Sequence, residues 1–145
     1  MGDRGNIQIH QPEAREDIYL YTHWTGSYIN EILALGLAKS KAVGRLGDPA
    51  YATRIIFDTL TNCEGEDTGY GISVGSPCDN EHDIPLVYWS DDFGKEPTVI
   101  YNGVEHTVDA YIAYWAGSPE HNEAVALWSQ SKSFAGKLAS MGGSL

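Results

Sequence analysis

The stretch Asp17-Ile-Tyr-Leu-Tyr-Thr-His-Trp-Thr-Gly-Ser27 most constrains what this chain can become, because an alternating strand runs straight into a Gly-Ser turn that opens a helix. In strand geometry Ile18, Leu20 and Thr22 point to one face, and Tyr19, Tyr21 and His23 point to the other. With the aliphatic row on a core, two tyrosines and a histidine line a surface beside helix-start N–H groups that have no intrahelical partner. Such a junction suits a flat anion. The residues it places at a ligand site are Tyr19, Tyr21, His23, Trp24, Gly26 and Ser27.

The flanking sequence supplies partners for this junction. Asn6–His10 alternates as a strand, and the turn-rich segment 11–16 pairs it with the second strand as a hairpin. Ser27 reads as the N-cap of a helix to about Val43, with Ile29, Ile32, Leu33 and Leu37 as its apolar stripe and Lys39, Lys41 and Arg45 at its carboxyl end. Asp48-Pro49 starts a second helix to about Asn62, whose buried stripe is Tyr51, Ile55, Ile56 and Leu60.

Strands follow at Thr68–Val74 and Pro85–Trp89, and Asn102-Gly103 sits between two short extended runs as a hairpin signal. Val108, Ile112 and Trp115 have helical spacing. Ser118-Pro119 opens a further tail helix with Ala124, Leu127, Trp128, Ser131, Ala135 and Leu138 on one face, and residues 141–145 fray. The order predicts an α+β fold, an antiparallel sheet with helices packed on one face. The 145 residues form a single domain, 1–145, with a helical tail from about position 108.

Charge removes some classes of partner. Nine Lys and Arg stand against 20 Asp and Glu, a net charge of -11, which argues against a duplex nucleic-acid groove built on many phosphate contacts. A short phosphate-bearing ligand needs only one or two cations and backbone donors. No apolar run spans a bilayer, and the segment before Ile7 has no secretion-signal pattern, so the expected setting is cytoplasmic, with no membrane partner. Cys63 and Cys78 show no CxxC spacing and read as free thiols.

Among the candidate chemical groups, His23 can donate to a phosphate or act as an acid or base, and can equally bond a neighbouring strand. Arg4 and Arg54 offer forks for a phosphate. Asp58, four residues after Arg54, makes an internal ion pair the competing role. Asp79-Asn-Glu-His-Asp83 gathers oxygen and imidazole groups but lacks the order of a calcium loop, and its acids can partner Arg4 instead. With no HExxH and no i, i+4 histidine pair, neither a metal nor a cofactor is expected. Tyr70 joins the aromatic platform on which a nucleobase can stack. Tyr111, Tyr114, Trp115 and Trp128 suit a subunit contact, so a homo-oligomer is expected.

Five motifs, Gly2-Asp-Arg-Gly-Asn-Ile7, Tyr19-Leu-Tyr-Thr-His-Trp-Thr-Gly-Ser27, Arg54-Ile-Ile-Phe57, Thr68-Gly-Tyr-Gly-Ile-Ser73 and Asp79-Asn-Glu-His82, together resemble a family of short uncharacterised proteins of tailed phages and prokaryotic genomes. The resemblance covers mainly residues 2–90 and implies a phage-associated setting, hence the host cytoplasm. It supplies no catalytic residues. The leading functional expectation is a protein that binds a small nucleotide-type anion, as a counter-defence device that sequesters a host immune signal. The alternatives are a phosphodiesterase or other hydrolase using His23 with Glu81 or Asp79, and an acidic protein that blocks a host protein through the segment 58–96, which carries one lysine and no arginine.

Overall fold

The computed structural model describes residues 2–62, 68–119, 121–123 and 126. Six strands form one sheet: β1 (Gly5–His10), β2 (Ile18–Thr22), β3 (Tyr70–Val74), β4 (Leu86–Tyr88), β5 (Thr98–Tyr101) and β6 (Val104–Thr107). A 3-10 turn at Gly26–Tyr28 leads into α1 (Ile29–Ala42), followed by α2 (Pro49–Thr61); α3 (Val108–Ala116) follows β6 directly. The architecture is α+β, as the element order predicts.

Alternation places the core. In the β1–β2 hairpin Ile7 lies opposite Leu20 and Ile9 opposite Ile18, while Asn6 meets Tyr21 and Gln8 meets Tyr19 on the other face. Ile7, Ile9, Leu20, Val87 and Val99 are buried with Ile32, Leu33 and Leu37 of α1, Ile56 and Leu60 of α2, and Val108 and Tyr111 of α3. Each such aliphatic side chain contributes about 1.5–3 kcal/mol on leaving water, so this single cluster dominates the stability of the fold.

The sheet order β3-β2-β1-β4-β5-β6 departs from a purely antiparallel sheet at one place. β4 lies beside β1 in parallel, with Ile9 opposite Val87 and His10 opposite Tyr88. The other four pairings are antiparallel. A parallel neighbour requires a crossover, and here β2, α1, α2 and β3 all lie between the two strands in sequence. Nothing local in residues 85–89 encodes that choice.

The helix starts show both agreement and correction. Asp48 caps α2, accepting from the Tyr51 N–H, with Pro49 in the first turn. Ser27 does not cap α1: it lies inside the 3-10 turn, and Tyr28 precedes the helix with no side-chain cap. Tyr51 is half exposed instead of buried, because its ring faces outward under the Arg45 guanidinium, 4.6 Å from the ring centroid. Asn102 and Gly103 both take positive φ, 51° and 76°, as the predicted two-residue hairpin requires. Beyond α3, the Ser118 hydroxyl accepts from the His121 N–H, a cap at the predicted place. Residues 119, 121–123 and 126 are helical, while the remaining residues of the predicted tail helix, the frayed end and Cys63 lie outside the described residues.

Candidate functional site

The entrance to α1 is held by the chain's own amino-terminal segment. Gly26 donates its N–H to the Asp3 carbonyl at 2.7 Å, and Asp3 donates its N–H to the His23 carbonyl at 2.7 Å. The approach needs glycine: a Cβ on Gly26 would lie 2.7 Å from the Asp3 carbonyl oxygen and 2.8 Å from the Arg4 carbonyl carbon, both backbone. The segment thus fixes the Asp3 side chain against the turn.

That side chain occupies the position predicted for an anion. Ser27 donates its N–H to Asp3 Oδ2 at 2.9 Å, and His82 Nε2 lies 2.6 Å from Asp3 Oδ1. Burial pushes the Asp3 carboxyl upward, but the Ser27 and His82 hydrogen bonds outweigh it and leave the pKa below the ordinary value. The Ser27 N–H expected to face an external anion is thus taken by an internal carboxylate.

A cavity of about 300 Å3 opens beside this lock. Gly26, Ser27 and His82 form one side, Asn30 and Glu31 of α1 another, and Tyr101 of β5 with Trp115 of α3 complete it. Glu31 is only 2% exposed and Asn30 is 6% exposed. Asn30 Oδ1 accepts from the Tyr111 hydroxyl at 2.6 Å. Burial raises the Tyr111 phenol pKa well above its usual value, and the negative charge of Glu31 raises it further.

Of the residues singled out from sequence for a ligand, Gly26 and Ser27 line this cavity, joined by His82 of the acidic segment 79–83 and by Trp115, singled out for a subunit contact. Arg4 lies close by but is committed to carboxylates, with Nε 3.2 Å from Glu81 Oε1 and Nη1 3.1 Å from Asp79 Oδ2. Those pairs hold the segment 79–82 against the amino-terminal segment, helped by Asn6 donating to the Asp79 carbonyl. Tyr21 and His23 meet through the Tyr21 hydroxyl and His23 Nδ1 at 2.9 Å, and the His23 ring stands edge-on to Trp24.

Tyr19 lies along β2 on the sheet face opposite the helices, paired across the strands with Gln8 and Ser73. Tyr70 pairs with Thr22 and packs against the core. Arg54 sits on the exposed side of α2 with Nη1 2.6 Å from Asp58 Oδ2, the internal pair that its spacing allowed. The predicted set therefore divides between the cavity, a neighbouring ionic and aromatic cluster, and more distant positions.

Glu31, Asn30 and Tyr101 were not among the sequence candidates for the site. The signal for the first two is present in hindsight: residues 29–37 are apolar almost all round, which marks a helix buried on most sides, so polar groups within it are buried too. Among the described residues no three His, Cys, Asp or Glu side chains converge to hold a metal. Asp79 and Glu81 take Arg4, and His82 takes Asp3. No helix among the described residues is long and apolar enough to cross a membrane. No family model, curated protein or solved structure matches the chain.

Proposed function

We propose that this chain is a small-ligand binding protein that takes a nucleotide-type anion at the cavity where β2 turns into α1. The observation that supports this reading is one space lined by Ser27 and His82, which hold the Asp3 carboxylate, by the buried Glu31 and Asn30, and by the rings of Tyr101 and Trp115. Carboxylate and amide groups suit the hydrogen-bonding edge of a base, and aromatic rings suit its face. The acidic group of the ligand reaches the Ser27 N–H by displacing the Asp3 carboxylate. About 300 Å3 is at the lower limit for small-molecule pockets, which fits one nucleotide better than two. In the phage setting implied by the resemblance, the use of such capture is sequestration of a host signal.

A hydrolase reading is favoured by one contact, the 2.6 Å approach of His82 to Asp3 beside the buried Glu31. This carboxylate–imidazole pair has better acid–base geometry than His23, whose Nδ1 meets Tyr21, or than Glu81 and Asp79, which bind Arg4. One experiment separates the two. Purified protein is incubated with a nucleotide extract, washed and denatured, and the released and free nucleotides are identified by mass spectrometry. Intact nucleotide retained by the wild type and lost in Glu31→Gln supports capture, and catalytic disappearance of a nucleotide supports hydrolysis. A wild-type protein that neither retains nor consumes nucleotide overturns both.

A further inference from the structure

A second cavity, of about 270 Å3, lies on the other side of Tyr101 and Trp115 and is lined chiefly by Tyr101, Val104, His106, Tyr111, Tyr114 and Trp115. Its rings do not stack into a closed layer. Trp115 makes edge contacts with Tyr101 at 6.2 Å and 78° and with Tyr114 at 5.1 Å and 72°, while Tyr111 is inclined to it by 55° at 6.3 Å. His106 meets Tyr111 at 59° and 6.1 Å, so inclined rings wall the space from several sides. These are edge-to-face packing contacts, but Tyr114 is 72% exposed and Val104 is 54% exposed, and together with buried Tyr111 they border an open volume.

We propose that this aromatic box binds a compact organic cation of the quaternary ammonium class. Ring faces attract cations through their quadrupole, and inclined rings around one space are the arrangement that recognises a fully alkylated ammonium. Two further observations select that charge and that degree of alkylation. Among the described residues no lysine or arginine lines the box, and the chain carries a net charge of -11. Among the described residues no carboxylate lines the box, the Tyr111 hydroxyl is committed to Asn30, and the other polar groups are the neutral Asn102, His106, Tyr101 and Tyr114, so a primary amine would find no charged acceptor where a tetraalkyl cation needs none. The box shares Tyr101 and Trp115 with the cavity at the α1 entrance, whereas Asn102, Val104, His106, Tyr111 and Tyr114 line the box and not that cavity.

The test is calorimetric titration of the full chain with choline and, separately, with 3,3-dimethylbutan-1-ol, the neutral molecule of the same shape. Choline is expected to bind at least about tenfold more tightly than the alcohol, and Tyr114→Ala to weaken choline about threefold to tenfold with an unchanged melting temperature. Trp115→Leu should abolish the preference for choline. Because Trp115 also supports the fold, the exposed Tyr114 is the deciding variant. Equal affinity for the two molecules would reduce the box to an ordinary apolar pocket and overturn the proposal, as would the absence of saturable choline binding. A dimer in light scattering that dissociates on Tyr114→Ala would overturn it too, by giving these rings a second copy of the chain as their partner.

Discussion

Asp3 is the residue on which the α1 entrance turns, and its chemistry gives a pH signature. In the folded chain Ser27 and His82 hold its carboxyl below the ordinary value, despite burial acting in the opposite direction. A depressed carboxyl pKa contributes stability that is fully present above the unfolded value of about 3.9 and is lost as pH falls through the folded value. Asp3→Asn should therefore be less stable than wild type at neutral pH, with the gap closing below about pH 4. Urea unfolding of both proteins from pH 7 down to pH 3 measures this; a gap independent of pH would mean that the side chain acts through shape instead of charge. The donor was legible in the sequence, since a Gly-Ser turn opening a helix advertises N–H groups. The acceptor was not, because Asp3 reaches Ser27 across 24 residues and His82 across 79, and local pattern carries no record of such pairs. Arg54 shows the converse: its partner is four positions away, and the spacing alone identified it.

At the scale of elements, legibility followed the range of the contacts. The β1–β2 hairpin, the Asp48-Pro49 start of α2 and the Asn102-Gly103 turn rest on neighbours in sequence, and all three stand where the residues place them. The parallel seating of β4 against β1 rests on a distant pairing, and α1 is buried on several sides because α2, α3 and the sheet all pack against it. It is entered through the 3-10 turn Gly26–Tyr28, where Asp3 holds the Ser27 N–H from 24 residues away, which is why a Ser27 cap is the natural local reading and the wrong one. The β5–β6 turn offers a clean test of a local element. Gly103 has φ of 76° and no atom within 4 Å of where a Cβ would stand, so Gly103→Ala meets only the backbone penalty for a left-handed residue, about 1–2 kcal/mol. Chemical denaturation should show a loss of that size with an unchanged slope. A loss several times larger would show that the turn makes contacts beyond its own backbone.

Across the whole molecule the dominant quantity is the excess of acid, 20 carboxylates against nine Lys and Arg. Among the described residues several basic side chains are engaged in exposed or half-exposed pairs: Arg4 with Asp79 and Glu81, Lys41 with Asp109 and Glu96, Arg54 with Asp58, and Lys95 with Asp92. Such pairs contribute about 0–1 kcal/mol each and are weakened by salt. The surplus carboxylates repel one another in the compact state, and salt relieves that too. The two effects act in opposite directions, and the count of charges decides between them, because the acids outnumber the bases by 11. Raising ionic strength from about 0.01 M to about 0.1 M shortens the screening length from about 30 Å to about 10 Å, which removes most of the repulsion across the molecule while leaving contacts at 3 Å only partly screened. The melting temperature should therefore rise by a few degrees over that range, with sodium chloride and with potassium chloride alike. Calorimetric scans at fixed pH check it: a fall would show that the few ion pairs, above all the Arg4 cluster tying residues 79–81 to the amino-terminal segment, outweigh the net charge in holding the fold.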